Sequence, residues 1–256
     1  MRFAILGPLE ARTADGMPLA IPRPRLRSLL AVLLMNANKT LSTERIVQLL
    51  WECDAPQGSA HAVHSYVSAL RQLVAPACRL LNMRPGYRLD IKSGELDVDE
   101  FRALSATGWQ FFHENDFEQA VSALERACAM WRDTSFPDFP PTPHMQGLAR
   151  QLVEELHSTE DLLVDVLLAV DRCREVIPVL TARTTEHPGH EPAWGQLMIA
   201  LYRSERRVQA LNTFTAARRA LLEVSGIEPG TTLRRIQQQI LHDDPALMAC
   251  PQYSIS

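Results

Sequence analysis

The sequence lacks the glycine loops and cysteine clusters that mark most nucleotide-binding enzymes and zinc proteins. Its 256 residues contain neither G-x-x-x-x-G-K-[ST] nor G-x-G-x-x-G, so no phosphate-binding loop of either kind is expected. No C-x-x-C pair occurs among the cysteines, which are Cys53, Cys78, Cys128, Cys173 and Cys250. This scatter predicts free thiols in a reducing compartment rather than a disulfide framework or a zinc site.

Histidines and carboxylates form no recognisable catalytic set either. His61 and His64 lie one helical turn apart, but no cysteine or carboxylate is suitably placed beside them. Adjacent acids such as Glu154 and Glu155 diverge on a helix and cannot act as a catalytic pair. We therefore expect a protein that is not an enzyme and that has no catalytic residues, no metal and no cofactor.

Long hydrophobic runs are also missing. No stretch approaches the roughly 20 apolar residues that span a bilayer, and the first residues, MRFAILGPLEARTADG, contain too short an apolar run for a signal peptide. A composition with 46% hydrophobic and 22% charged residues is typical of globular domains. We expect a cytoplasmic protein without membrane contact, and the length suits two domains.

Positive charge is concentrated in the first part of the chain. Residues 1–95 contain 12 Lys and Arg against 7 Asp and Glu, a net charge of +5, although the whole chain carries −4. The remaining residues therefore carry −9. This division favours a polyanionic partner for the first domain only.

The first 50 residues predict short strands followed by two helices. Residues 3–6, 9–12 and 19–21 are typical of strands around a hairpin turn. Arg23, Arg25 and Arg27 then open a helix, where the helix dipole disfavours cations. Either a bound phosphate or pairing with nearby acids would resolve that conflict. A second helix begins at Ser42, which is a good N-cap residue.

The third helix, residues 59–74, has one apolar face and one polar face. Its apolar positions are Val63, Tyr66, Val67, Leu70 and Val74, and its polar positions are His61, His64, Ser65, Ser68, Arg71 and Gln72. The polar face carries no acid, and its side chains are of the types that donate to phosphates or read base edges. The segment therefore predicts a recognition helix for duplex DNA.

A short basic hairpin, LLNMRPGYRLDI, follows at residues 80–91. Arg84 and Arg88 flank its Pro-Gly turn, where a wing would reach the DNA backbone or minor groove. We expect the ring of Tyr87 to lie in the core at the hairpin base. A helix of this kind followed by such a hairpin is typical of winged-helix DNA-binding domains.

The second half contains an internal repeat. EQAVSALERA, EVIPVLTART and VQALNTFTAA share one apolar pattern, which sets in register Ala120, Val176 and Ala210, then Leu124, Leu180 and Phe214. The last two copies are 34 residues apart, the period of tetratricopeptide helix pairs. The first spacing, 56 residues, contains a proline-rich loop and a long helix beginning near Met145. Such helix pairs bury a shared core and leave a surface suited to protein partners.

Several of these segments together resemble a known family. RFAILGPLE, LRSLLAVLLMNAN, LSTERIVQLLW, YVSALRQL and PGYRL are similar to the OmpR/PhoB-type winged helix. ALERACAMW, EPAWGQLMIALYRSERRVQAL and GIEPGTTLRRIQQQILHDDPAL resemble the bacterial transcriptional activator domain. In this order the motifs are typical of the Streptomyces antibiotic regulatory protein family, and the resemblance covers about residues 1–245.

The resemblance implies a mostly α-helical protein with a small β component. A winged helix-turn-helix domain at residues 1–95 would precede a tetratricopeptide-like activator domain at 97–245 and a tail at 246–256. It also implies a transcriptional activator of a secondary-metabolite (antibiotic) gene cluster. Such a protein binds direct repeats of double-stranded DNA near promoters, as a homodimer there or as separate copies. It recruits RNA polymerase holoenzyme through the sigma factor and core subunits.

Residue roles are carried over by position in the motifs. From the recognition helix Ser65, Ser68 and Arg71 would face DNA, with Arg84 from the wing and Arg25 and Arg27 from the first helix. The charge and polarity of the same segments add Arg23, His64, Gln72 and Arg88. Glu52 and Asp54 fall in the loop that contacts RNA polymerase in the family.

One departure from the family keeps an alternative open. The family places a basic residue before the Leu-Arg of the recognition helix, where this chain has Ala69. An interaction adaptor whose winged helix no longer reads DNA would also fit that loss. The net charge of +5 in residues 1–95 favours the DNA-binding interpretation, because an adaptor has no need of it.

Overall fold

A computed structural model of the chain describes residues 1–74 and 79–248, which form two compact units. Unit 1 consists of residues 1–106 and 126–157, and unit 2 consists of residues 107–125 with the described residues from 158 onward. Cys78, Cys250 and most of the predicted tail lie outside the described residues. The fold is mostly helical with two small sheets, as the sequence predicts.

Unit 1 begins with a two-stranded antiparallel ribbon. Strand β1 (Arg2–Ala4) pairs with β2 (Glu10–Arg12), and Phe3 lies opposite Ala11. The predicted third strand at residues 19–21 is wrong, since only an isolated bridge joins Arg12 to Pro18. Proline has no N–H to donate, so the ladder ends where Pro18 meets the ribbon.

The remaining elements of the first 95 residues form a helix bundle and a second sheet. In chain order they are α1 (Pro24–Met35), β3 (Leu41–Ser42), α2 (Thr43–Trp51), α3 (Ser59–Val74), β4 (Arg79–Met83) and β5 (Gly86–Asp90). Strand β5 is central and antiparallel to both neighbours, with Tyr87 opposite Leu41 and Leu89 opposite Leu80. The predicted N-cap is confirmed, because Ser42 Oγ accepts the Arg45 N–H at 3.1 Å.

The core of unit 1 draws on residues far beyond position 95. Leu29, Leu30 and Leu33 of α1 are buried in the same cluster as Phe139 and Leu152. The compact unit therefore does not end at the boundary expected from the sequence. Residues 126–157 complete the apolar core into which α1 packs.

A carboxylate from that distant segment also fixes the start of α1. Asp138 pairs with Arg27, whose Nε and Nη2 both donate to it, the second at 2.7 Å. Asp138 Oδ2 also accepts the Leu9 N–H at 2.7 Å, and Arg27 Nη2 donates to the Leu9 carbonyl at 2.6 Å. Three segments of unit 1 thus meet at one bidentate ion pair.

Helices make up the rest of the described chain. They are α4 (Asp97–His113), α5 (Phe117–Cys128), α6 (Pro143–Ala169), α7 (Cys173–Glu186), α8 (Glu191–Arg203), α9 (Arg207–Ser225) and α10 (Thr231–Leu241), followed by a 3₁₀ turn, Pro245–Met248. Parts of α4, α5 and α6 belong to each unit. Within the described residues, no helix has the length and apolarity needed to cross a membrane.

The turns within the helix pairs of unit 2 repeat one geometry. Asn115, Asp171 and Glu205 each adopt a left-handed backbone, with φ of 58°, 60° and 62°. The aligned repeat positions lie five residues after these three turn residues. They are Ala120, Val176 and Ala210, and each is almost completely buried. The structure thus confirms the repeat register that the sequence predicts.

Asp138 provides a test of the ion pair that joins the segments of unit 1. Asp138→Asn is expected to lower the free energy of unfolding by about 2 kcal/mol, because it leaves a partly buried guanidinium without its counter-charge. Chemical denaturation followed by circular dichroism measures this. Asp15→Asn, which removes an exposed carboxylate from the turn that follows β2, serves as the control and is expected to change little.

The same pair makes stability depend on pH. Burial alone would raise the pKa of Asp138, but hydrogen bonds from Arg27 and the Leu9 N–H outweigh it and hold the pKa below its usual value. A lowered folded-state pKa gives stability that is present above the unfolded pKa and is lost as pH falls through the folded pKa. The difference between wild type and Asp138→Asn should therefore be full at neutral pH and shrink in acid; a difference that grows in acid would contradict the assignment.

Glu205 tests the turn geometry of unit 2. The N–H of Arg206 donates to the Leu201 carbonyl at 2.9 Å, and that of Glu205 to the Tyr202 carbonyl at 3.0 Å, which places Glu205 at the position where helices favour glycine. Glu205→Gly should raise the free energy of unfolding by about 1 kcal/mol by relieving the left-handed strain. Glu205→Ala removes the same charge but keeps Cβ, and therefore keeps the left-handed strain. Equal stabilisation by both variants would show that relief of this strain is not the cause.

Candidate nucleic-acid interface

Helix α3 is anchored in unit 1 by one continuous apolar face. Val63, Val67, Leu70 and Val74 are each at most 1% exposed. Their spacing of three or four residues places them on one side of the helix. The position of these four side chains therefore determines which residues of α3 face solvent.

The opposite face of α3 is polar and accessible. His61, His64, Ser65, Ser68 and Gln72 are all exposed. Helix α3 contains no Asp or Glu at all. Its exposed face therefore presents hydrogen-bonding groups without the negative charge that would repel a phosphate backbone.

Arg71 joins α3 to the hairpin formed by β4 and β5. Its Nε and Nη2 donate to the carbonyl oxygen of Leu80 at 3.0 and 2.8 Å, and Nη2 also lies 3.3 Å from Asn82 Oδ1. These bonds connect the last turn of the helix to β4, so the predicted DNA ligand Arg71 also positions the hairpin. Its guanidinium is half-buried rather than freely exposed.

Tyr87 and His64 make a second connection between the same elements. The Tyr87 side chain is buried, as expected from the sequence, and its hydroxyl lies 3.0 Å from His64 Nδ1. The two rings meet edge to face, with centroids 5.8 Å apart. His64, a predicted DNA ligand, therefore uses its Nδ1 in a hydrogen bond to the hairpin, while the rest of its side chain remains exposed.

The hairpin itself, which we term the wing, carries three arginines in different settings. Arg84 is exposed in the turn and makes no ion pair with a described residue. Arg88 is half-buried and its Nε donates to Asp90 Oδ1 at 2.6 Å, which neutralises its charge locally. Arg79, at the start of β4, is exposed. Positive charge on the wing is therefore concentrated at Arg84 and Arg79.

The three arginines at the start of α1 lie in three different environments. Arg23 is exposed at the N-cap position without a side-chain capping bond. Arg25 lies over the Trp51 ring, 5.5 Å from its centroid, in a cation–π contact. Arg27 is paired with Asp138, so of the two explanations left open by the sequence, pairing with an acid holds for Arg27. That acid is 111 residues away in sequence and not local.

Two exposed cations near these elements were not singled out from the sequence. Arg45 lies in the first turn of α2, where its side chain reaches Gln48 Oε1 at 3.3 Å. Arg79 directly precedes the segment LLNMRPGYRLDI that marked the wing. Arg79 is therefore a charged residue that flanks a motif, whereas Arg45 lies within the segment LSTERIVQLLW itself.

Ala69, which stands where the family has a basic residue, changes the exposed face of α3 little. Ala69 is half-buried and packs against the core of unit 1, so it stands at the margin of the exposed face of α3. A basic residue there would add a charge beside the face without changing its centre. The polar groups of Ser65, Ser68 and Gln72 are unaffected by it.

The loop between α2 and α3 forms a separate acidic surface. Glu52 and Asp54 are both exposed, with Cys53 between them also exposed. Glu52 ends α2 with a φ of 55°, which turns the chain away from the helix axis. The structure places these carboxylates at the N-terminal approach to α3, outside its exposed polar face.

Together, these elements give unit 1 a surface suited to a polyanion. An exposed helix face free of carboxylates lies beside a wing whose accessible charges are cationic. Across the described residues, no three His, Cys, Asp or Glu side chains are grouped so as to hold a metal ion. The geometry is that of a winged-helix reader, in which a helix enters the major groove and a hairpin contacts the backbone.

Comparison with known proteins agrees with this geometry. Residues 21–89 match the family "Transcriptional regulatory protein, C terminal", and residues 96–241 match "Bacterial transcriptional activator domain". The chain is 35% identical over 248 residues to the transcriptional regulatory protein EmbR of Mycobacterium tuberculosis, covering 95% of this chain and 64% of EmbR. It is 30% identical over 251 residues to MoaR1 of the same organism, covering 96% and 80%.

A solved structure shows the same architecture. Mycobacterium tuberculosis EmbR, in complex with a low-affinity phosphopeptide, superposes with a TM-score of 0.90 at 34% identity. The match covers 95% of this chain and 65% of that one, so the chain spans about two thirds of the EmbR length. The chain therefore belongs to the Streptomyces antibiotic regulatory protein family, transcriptional regulators that join an OmpR/PhoB-type winged helix to a bacterial transcriptional activator domain.

Proposed function

We propose that the protein binds promoter DNA in a sequence-specific manner through α3 and the wing. The observation that carries this proposal is the exposed, carboxylate-free face of α3 beside a wing whose Arg79 and Arg84 are exposed and make no ion pair with a described residue. Duplex DNA is the polyanion that fits, because its major groove admits a helix and its phosphates attract the flanking arginines. The family to which the chain belongs supports the same partner.

The side chains of the interface divide by their setting in the fold. Ser65, Ser68 and Gln72 are exposed at the centre of the α3 face and are proposed to read base edges. Arg23 and Arg84 are exposed at its borders and are proposed to bind phosphates, together with the newly recognised Arg79.

The predicted ligands that already have internal partners receive a different role. Arg71 and His64 connect α3 to the wing, and we propose that they contribute to DNA binding mainly by holding the wing in place. Arg25 remains a candidate phosphate contact supported by Trp51. Arg27 is held by Asp138 and Arg88 by Asp90, so we assign both to the fold.

Activation is proposed to require a second surface that contacts RNA polymerase holoenzyme. Glu52 and Asp54 supply exposed negative charge in the loop that precedes α3. Because they lie outside the α3 face, they stay accessible to the sigma factor or core subunits while α3 occupies DNA. We further propose direct repeats as the operator, bound by two copies of the chain, and a secondary-metabolite gene cluster as the target.

Salt dependence of binding tests the DNA interface. On promoter fragments from its own gene neighbourhood, the protein should give a selective gel shift that weakens steeply between about 50 and about 200 mM salt. Over that range, the release of counterions from several phosphates lowers the affinity for DNA by about 10³-fold. Arg84→Gln should reduce affinity roughly tenfold on every sequence and lower the salt slope by about 1, since one phosphate contact is lost.

Two further variants separate the contribution of base contacts from that of phosphate contacts. Gln72→Ala should relax selectivity between operator and mutated operator with little change in salt slope, because a base contact is lost instead of a phosphate contact. Arg12→Gln removes an exposed arginine of β2 and should leave both quantities unchanged. Weak shifts of equal strength on all fragments would instead favour the adaptor, whose winged helix no longer reads sequence.

The acidic loop is tested by transcription in vitro. The double variant Glu52→Gln, Asp54→Asn should bind operator DNA as tightly as wild type but lose about fivefold in transcript yield with polymerase holoenzyme, because exposed charge pairs each contribute modestly. Asp15→Asn, which changes an acid elsewhere in unit 1, is the control. Unchanged transcript yield from the double variant would remove the loop from the proposed polymerase contact.

A further inference from the structure

Unit 2 contains a cavity that the DNA-binding function does not use. It measures about 530 Å³ and lies between α6, α8 and the start of α10. Its apolar walls come from Leu168, Pro192, Ile199, Leu233 and Ile236. The volume falls within the roughly 300–1,000 Å³ range of small-molecule sites, which are lined mainly by apolar side chains with a few polar groups among them.

The amide oxygen of Gln196 is the polar group that sets this cavity apart. Gln196 is 6% exposed and lines the cavity, and its Oε1 is buried without a hydrogen bond to any described residue. Its Nε2 donates to the carbonyl oxygen of Asp161 and to Asp165 Oδ1, both at 3.0 Å. These two bonds fix the orientation of the amide, because exchanging its oxygen and nitrogen would place an oxygen against two acceptors.

A buried acceptor of this kind requires a donor. An unsatisfied carbonyl oxygen in an apolar setting costs free energy, and buried polar groups in native proteins are therefore almost always hydrogen-bonded. A ligand that fills the cavity covers Gln196 Oε1, so it has to bring an N–H or O–H group to that atom.

The two carboxylates beside Gln196 are already engaged in the fold. Asp161 pairs with Arg183 at 2.9 Å and with His190 at 3.0 Å. Asp165 accepts the amide of Gln196 and has a further interaction within the chain. The donor that Gln196 Oε1 requires therefore does not have to carry a positive charge to neutralise either acid.

The third carboxylate of the cavity, Glu191, joins two helix N-termini. It lies in the first turn of α8, and its Oε2 accepts the N–H of Gly230, the N-cap residue of α10, at 2.8 Å. The positive ends of helix dipoles stabilise an acid in such a position. None of the described lining residues is Lys or Arg. An anionic ligand would therefore face three carboxylates and no lining cation, whereas a neutral ligand disturbs none of these interactions.

We propose that this cavity binds a neutral small molecule with an apolar body and one hydrogen-bond donor, a hydroxyl or an amide N–H. The donor bonds to Gln196 Oε1, and the apolar body packs on Leu168, Ile199 and Ile236. Because the lining residues lie on α6, on α8 and at the start of α10, the bound molecule stabilises the packing of these helices. None of the lining residues is among those assigned to DNA.

Methyl NMR on the full chain tests the proposal with hexanol and its isomer methyl pentyl ether. With the isoleucine δ-methyl groups labelled, hexanol should shift the Ile199 and Ile236 signals in a saturable way. The signal of Ile227, which is exposed and does not line the cavity, should stay in place. The ether has the same atoms but no donor, so it should bind at least about tenfold more weakly.

Charged analogues of the same length test the neutrality of the ligand. Hexanoate should bind at least about tenfold more weakly than hexanol, because it brings a negative charge to a cavity lined by carboxylates. Hexylammonium should bind no more tightly than hexanol. An ammonium that binds more than about tenfold more tightly would overturn the assignment of a neutral ligand.

One substitution made at two positions tests the role of the amide oxygen. Gln196→Met keeps the length of the side chain but removes Oε1, so hexanol and the ether should bind this variant equally well. Gln238→Met, at an exposed position of α10 outside the cavity, should discriminate between the isomers as wild type does. Equal affinity of the wild-type chain for the two isomers would overturn the proposal without any variant, as would the absence of saturable shifts at Ile199 and Ile236.

Discussion

The buried face of α3 is the constraint on which the rest of the interface depends. Val63, Val67, Leu70 and Val74 are almost fully excluded from solvent, and each such burial stabilises the fold by about 1.5–3 kcal/mol. Neighbouring helix positions differ by about 100° around the axis, so a rotation of α3 by one residue would expose these four side chains. The orientation of the polar face towards a ligand therefore follows from core packing rather than from any contact made by the polar residues.

Cations of unit 1 serve the fold as well as the ligand. Arg27 and Arg88 are neutralised by Asp138 and Asp90, and Arg71 donates to a wing carbonyl. Because Asp138 lies outside residues 1–95, their net charge of +5 overstates the positive charge that these elements carry in the fold. Among the predicted DNA ligands, the cations that stay exposed belong to the start of α1 and to the wing, whereas the exposed face of α3 carries uncharged polar groups at Ser65, Ser68 and Gln72.

The sequence was informative wherever the physical signal is local. Apolar spacing predicts the extent of α3 and the repeat register, and the serine side chain predicts the N-cap at Ser42, because each signal depends on residues within a few turns. It could not predict that Arg27 would find Asp138, since that pairing depends on a chain path of 111 residues.

The path of the chain through unit 1 also changes how the domains should be understood. Asp138 and Phe139 lie within the stretch that matches the activator domain, yet they belong to the same compact unit as the winged helix. A fragment ending at residue 95 would lose the partner of Arg27 and the apolar groups that cover α1. The geometry of the winged helix is therefore stabilised in part by residues of the stretch that matches the activator domain, and the boundary between the two matches does not coincide with the boundary between the two compact units.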